Sequence, residues 1–272
     1  MSLKLKSVAA LLAICLSSGA QTVGVERIAA NDTNPVSTIM RVLEKRYGWF
    51  MTYEDPPWQN LDELVDSTHP EYKRLHPGEA PAYAVRPHRL EFNLTAPDGQ
   101  YRPSLDDTMD AVLQSHKDSG NPGFFAYDHI GAYLHVRPVK VRLRDGQIVP
   151  WVSIMETKVS FPKAQRRAYD ALMLVLSQVS EASHQTINPA TIPTNGLMTA
   201  SGEHGAEDRP AREVLIEIFE DINRLNVEFF NHPAHIVWDL MYDPTFKAYY
   251  FNAHFVVVEK KGAFGATVRE QQ

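Results

Sequence analysis

The chain has 272 residues, of which 44% are hydrophobic and 22% charged. These are the proportions of a folded protein with a core, and they exclude a disordered, collagen-like or coiled-coil chain. A formal net charge of −6 gives no electrostatic basis for binding nucleic acid. Beyond the N-terminus no apolar run is long enough to span a bilayer.

Lys4 and Lys6 precede an uncharged apolar stretch from Val8 to Leu16, and Ser18-Gly19-Ala20 follows with small residues. That order predicts a secretory signal peptide over residues 1–20, cleaved after Ala20. A lipoprotein starting at Cys15 is disfavoured, because Ile14 is too large for the position before it. Cleavage removes the only cysteine together with Lys4 and Lys6, so the mature chain is more acidic and has no disulfide, thiolate or cysteine metal site. A cysteine-free exported chain fits a bacterial periplasm. In that compartment the sequons Asn31-Asp32-Thr33 and Asn93-Leu94-Thr95 mean nothing. The expected localisation is periplasmic or secreted.

Residues 21–33 read as a loose leader. Asn34-Pro35 opens a helix with Val36, Ile39, Met40 and Leu43 on one face, and Gly48 stops it. Trp49 to Tyr53 read as a strand. Residues 55–87 read as a long proline-rich loop, and 88–95 as a half-buried strand. Ser104 caps a second helix with Asp107 three residues on; Phe124–Asp128 and Ala132–Val141 form a hairpin. Residues 142–150 read as a linker, and Trp151 to Phe161 as a strand. Lys163 to His184 read as a long buried helix, and Leu197 to Glu203 as a short strand. Asp208 and Pro210 start a last helix with Ala211, Val214, Leu215, Ile218 and Ile222 on its stripe. His235–Tyr242 and Ala248–Val258 close the chain as a hairpin, and 262–272 is a polar tail.

The predicted fold is therefore α+β: two similar small open-sheet sandwiches, each with two helices packed on the sheet. The first domain covers 34–141 and the second 151–261. The common order suggests an internal duplication, in which His135 and His254 occupy matching positions.

Leu90–Leu94, Ser104-Leu105-Asp106-Asp107, Ala111-Val112-Leu113 and Tyr133–Val136 carry a likeness. With the order helix, strand, strand, helix, hairpin, this resembles the short N-terminal domain of secretins and TonB-dependent receptors. Tyr47-Gly48-Trp49, Ser119-Gly120-Asn121-Pro122-Gly123 and Trp238-Asp239-Leu240-Met241-Tyr242-Asp243-Pro244 also look like a group of exported bacterial proteins. The insert at 55–87 departs from the compact domain, and no secretin pore region or receptor barrel follows. The resemblance implies an envelope module that binds other proteins.

Residues that could carry chemistry are few. Hydrolase elbows, P-loops, dinucleotide glycine motifs and H-E-x-x-H are absent. His232 and His235 are spaced by Pro233, which is poor for a shared metal, and no metal or cofactor is expected. Glu54-Asp55, Asp62-Glu63 and Asp106-Asp107 are adjacent acids, not carboxylates shown to converge across a cleft. Ser104, Asp128 and His129 form a conceivable hydrolytic set with nothing to fix its geometry. Trp58, Tyr72 and Tyr83 in the proline-rich loop are candidate interface anchors, with a lid over the core as the alternative. His135 and His254 lie on strand faces that either bind a partner or are covered by the other half.

The expected function is that of a non-catalytic envelope module binding other proteins, in a secretion, pilus or uptake assembly. The alternatives are a small-ligand-binding protein with a pocket between the halves, and a hydrolase using histidine and carboxylates. The N-terminal reading is checked by intact mass of the exported protein: the mature chain is expected to begin at Gln21, and a retained N-terminus rejects cleavage.

Overall fold

The computed structural model describes residues 25–95, 102–230, 235–261 and 267–271. The predicted signal peptide lies outside them, as does His232.

The first half opens with β1 (Val25–Asp32), α1 (Pro35–Tyr47) and β2 (Met51–Glu54). An insert follows: a single 3-10 turn, β3 (Leu64–Asp66), α2 (Pro70–Leu75) and β4 (Tyr83–Val85). The half then closes with β5 (His88–Thr95), α3 (Leu105–Asp118), β6 (Phe124–Ile130) and β7 (Tyr133–Arg142). After β8 (Ile148–Pro150) the second half runs β9 (Lys158–Arg167), α4 (Ala168–Ser183) and β10 (Thr186–Pro189). It continues through α5 (Thr194–Thr199), β11 (Ser201–Pro210), α6 (Ala211–Phe230), β12 (Ile236–Asp243) and β13 (Ala248–Phe255). A ribbon of β14 (Val257–Lys261) and β15 (Thr267–Gln271) ends the described chain, in place of part of the expected polar tail.

Both halves use one pairing pattern. β1 pairs antiparallel with β5, as β9 does with β11. β2 lies parallel to β7, as β10 does to β13, and β6–β7 and β12–β13 are antiparallel hairpins. α1 and α3 in the first half, and α4 and α6 in the second, lie between the two-stranded ribbon and the three-stranded sheet. Ile39, Leu43, Met109 and Val112 meet Ile28, Leu90 and Phe92 on one side, and Met51, Tyr53, Leu134 and Val136 on the other. Leu172, Val175, Leu215 and Phe219 sit in the same way between Val159 and Phe161 and Trp238, Leu240 and Phe251.

The halves are not separate sandwiches, because β2 also runs parallel to β12, joining both three-stranded sheets into one of order β10-β13-β12-β2-β7-β6. Tyr53 belongs to the first core, and its neighbour Glu54 points to the opposite face. Glu54 is registered with Leu240 of the second core. The helices of the two halves therefore cover opposite faces of the joined sheet.

Several boundaries move. Residues 25–32 are a strand, with Ile28 and Ala30 buried, because two alternate apolar residues suffice to face α1. Of the expected linker, Arg142 ends β7 and 148–150 pair back onto it as β8. The expected strand at 151–161 begins only at Lys158 and runs to Arg167, so the expected helix at 163–184 begins at Ala168. Residues 194–199 are a short helix and the strand after them extends to Pro210. Here cross-strand pairing to β9 outweighs the weak strand propensity of Gly202 and Gly205. A Cβ at Gly205 would lie 2.5 Å from the Lys163 backbone, so the close approach of β9 and β11 admits only glycine there.

One sheet with two interlocked cores implies one cooperative unfolding transition. Trp238 is fully buried beside the joint. Trp238→Ala is expected to cost about 3–5 kcal/mol in denaturant melts and to keep a single transition. Two separated transitions in the unaltered protein would contradict the joined sheet.

Candidate functional site

The joint between the halves is polar at its centre. Thr52, Glu54, Asp55 and His135 are all fully buried around β2. The Thr52 hydroxyl and His135 Nδ1 are 2.9 Å apart across the β2–β7 pair. Glu54 Oε1 accepts from the Ile154 N–H at 3.0 Å, and its second oxygen accepts from the Ser153 hydroxyl. His135 Nε2 lies 4.0 Å from Glu54 Oε2. Burial pushes the Glu54 carboxyl up to about 7 and the His135 imidazole down to about 3, so both tend to the neutral form.

Asp55 anchors the insert. Its carboxylate accepts from the Tyr53 hydroxyl at 2.8 Å, the Tyr242 N–H at 3.0 Å and Asn34 Nδ2 at 3.2 Å. Its own N–H donates to the Leu240 carbonyl at 2.8 Å. Burial raises this carboxyl to about 7 despite those donors. Glu54 and Asp55 are thus buried structural groups.

From Asp55 the chain enters the insert, which is ordered along residues 55–87. Trp58, Leu64 and Val85 are buried against Tyr83 and Tyr242. Tyr83 exchanges two hydrogen bonds with the Thr245 hydroxyl, at 2.7 and 2.8 Å. Asn60 Nδ2 donates to the Leu143 carbonyl, and Arg142 pairs with Glu63 at 3.1 Å. Trp58 is therefore no exposed anchor; it closes over the core, the lid arrangement, since a tryptophan beside Pro56 and Pro57 can bury most of its surface there. Tyr83 belongs to the same root.

Tyr72 is the member of the aromatic set that stays outside, on α2. It is 46% exposed, its hydroxyl donates to Glu79, and its ring stacks on His76. Leu61, Leu75 and, on the neighbouring β12–β13 turn, Phe246 are at least as exposed. A concavity of about 290 Å3 lies beside Tyr72, lined among others by Asp66, Lys73, His76 and Glu79.

The two histidines are not equivalent. Counting from each hairpin turn, His135 is the third residue of β7 and His254 the seventh of β13. His135 is sealed under Trp238, with ring centroids 5.1 Å apart. His254 reaches Glu44 of α1 at 2.9 Å, and Arg41 pairs with Asp239 beside it. On the other face Tyr133 donates to Glu220 of α6 at 2.7 Å, and Arg212 of α6 pairs with Asp128. Each half's bare sheet face is thus covered by a helix of the other half, and neither histidine presents a free face. Ser104, Asp128 and His129 do not converge. Ser104 caps α3, His129 pairs with Asp106, and Asp128 pairs with Arg137 and Arg212.

At the opposite end of the strands an open groove of about 520 Å3 runs between Ile130–Tyr133 and α6. Glu220 accepts there from Tyr133 and approaches His235 Nδ1 at 3.3 Å, and Phe50 stacks on the His235 ring. Sequence reasoning missed this grouping, because Tyr133, Glu220 and His235 come from three elements with no motif between them. Among the described residues no group of three or more metal-ligating side chains is assembled, and no helix is long and apolar enough to cross a membrane. Comparison with protein-family models, with curated proteins and with solved structures finds no match.

The raised Glu54 carboxyl has a defined pH signature. A carboxyl raised from 4.5 to about 7 on folding stabilises the fold below pH 4.5, and that contribution is lost as pH rises to about 7. His135 acts in the opposite direction, its contribution being lost as pH falls from 6.5 to about 3. Glu54→Gln keeps the acceptor shape without the charge. Denaturant melts between pH 4.5 and 7 are expected to show this variant losing less stability with rising pH than the parent. Equal slopes would remove Glu54 from the linkage.

Proposed function

We propose that this chain is an exported, non-catalytic envelope module that binds other proteins, within a secretion, pilus or uptake assembly. The observation that carries the reading is the insert. A buried root of Trp58, Leu64, Val85, Tyr83 and Tyr242 carries the exposed helix α2, which displays Tyr72 and Leu75. Large apolar side chains displayed on a fixed base lose little conformational entropy on docking, which suits an interface anchor. The resemblance of residues 90–94, 104–113 and 133–136 to the secretin and TonB-receptor short domain supports the same reading.

A second reading, a periplasmic small-ligand-binding protein, draws on the groove where β7 of one half meets α6 of the other. Domain junctions favour such pockets. Its polar set of Tyr133, Glu220, His235 and Arg209 would orient a small polar ligand.

The two readings separate by crosslinking in the cell envelope. A photoreactive residue at Leu75 is expected to capture a reproducible envelope protein, and Tyr72→Ala to weaken that capture. Because Tyr72 is exposed, the same change is expected to alter stability by no more than about 0.5 kcal/mol. Capture that is unchanged by Tyr72→Ala, or absent, counts against the insert as the binding surface. Ligand-induced thermal shifts abolished by Glu220→Ala would then favour the groove.

A further inference from the structure

Beneath the insert lies a small, half-open recess lined by Asn34, Tyr53, Trp58, His116, Pro122 and Phe125, among others. It leaves about 10 Å3 for the centre of a water molecule, which is room for one. Three of these residues carry a buried polar atom with no hydrogen-bond partner: Asn34 Oδ1, Trp58 Nε1 and His116 Nδ1. Trp58 and His116 are each more than nine-tenths buried. An unmet polar atom in such a place is destabilising, so three around one cavity require an account.

The protonation of each atom is fixed by its other contacts. Asn34 Nδ2 donates to the Asp55 carboxylate, so its oxygen faces the other way. Asn34 occupies the N-cap position of α1 yet makes no capping bond with its side chain, so its oxygen is left without a partner. His116 Nε2 lies 2.9 Å from the Pro122 carbonyl and 3.3 Å from that of Gly123, which can only accept. Nε2 therefore carries the proton, and Nδ1 of the neutral ring is an acceptor. The Trp58 indole is a donor only. It lies close enough to Asp55 to help hold that carboxyl down, yet makes no hydrogen bond of normal geometry to it.

We infer that this cavity is a binding site for one ordered water molecule, bridging the insert to the first half. The inventory closes: water accepts from the Trp58 N–H and donates to Asn34 Oδ1 and His116 Nδ1. The bound water ties the root of the insert to the start of α1 and the end of α3. It makes the pose of the insert depend on hydration as well as on apolar contact, whatever the insert binds.

High-resolution diffraction from the full chain tests the site directly. A fully ordered water within hydrogen-bonding distance of all three atoms is expected. A dry cavity, or a direct Trp58 Nε1 bond to Asp55, overturns the inference. Nitrogen NMR of the unaltered protein gives a second readout that needs no variant: His116 is expected as the Nε2–H tautomer with a hydrogen-bonded Nδ1. A protonated Nδ1 contradicts it. Trp58→Phe removes the indole donor. It is expected to lose one long-lived water by relaxation dispersion and to speed exchange of the insert amides about three- to tenfold, the worth of one hydrogen bond. Unchanged water content in that variant also overturns the proposal.

Discussion

The short parallel pairing of β2 with β12 is the contact on which the rest of the molecule depends. It registers only Tyr53 with Asp239 and Leu240 with Glu54, and two registered pairs alone would be a weak joint. The joint holds because each half leaves one sheet face bare and the other half supplies a helix to cover it. Arg41 and Glu44 of α1 meet Asp239 and His254, while Arg212 and Glu220 of α6 meet Asp128 and Tyr133. Without the partner half those faces would expose polar strands with buried-type neighbours, and the central carboxyls would return to water.

The same arrangement explains the polar centre. Tyr53 and Asp55 face the first core and Thr52 and Glu54 face the second, so β2 is buried on both sides. A strand in that position is normally apolar throughout. Here its polar groups are matched by the Ser153 and Tyr53 hydroxyls, the Tyr242 and Ile154 amides and Asn34, at the cost of holding two carboxyls near neutrality. At its free ends the sheet stops by local means. In β10, Pro189 offers no N–H, and just beyond it Thr191 gives its N–H to the Asn252 side chain. Both features blunt an edge that would otherwise invite another strand.

The insert inherits its position from this centre. It leaves the sheet at Asp55, whose contacts to Tyr53, Tyr242 and Asn34 fix the first residue, and it is held at its far side by Thr245 on the β12–β13 turn. One half thus supplies the insert, and both halves supply its seat. The binding surface proposed for it is a product of both halves, although all its chain belongs to the first.

The sequence by itself determined the α+β class, the helices with strong apolar stripes and clear stops, and the two closing hairpins. Those depend on local periodicity, caps and turns, and Ser104 and Gly48 could be read directly. It also singled out the insert, through its prolines and aromatics. Weakly patterned strands escaped it: β1 has only Ile28 and Ala30 to mark its buried face, and β9 and β11 are rich in charge and glycine because one side of that ribbon meets water. Tertiary structure alone decided that Trp58 turns inward while Tyr72 stays out, and that Glu54 and Asp55 are core residues. It also decided that His135 and His254 face different partners, and that Tyr133, Glu220 and His235 share a groove. Each of these depends on contacts between segments far apart in the chain, and such contacts follow from which strand pairs with which. Period and propensity describe a strand's own faces; the neighbour that covers them is set by the whole fold.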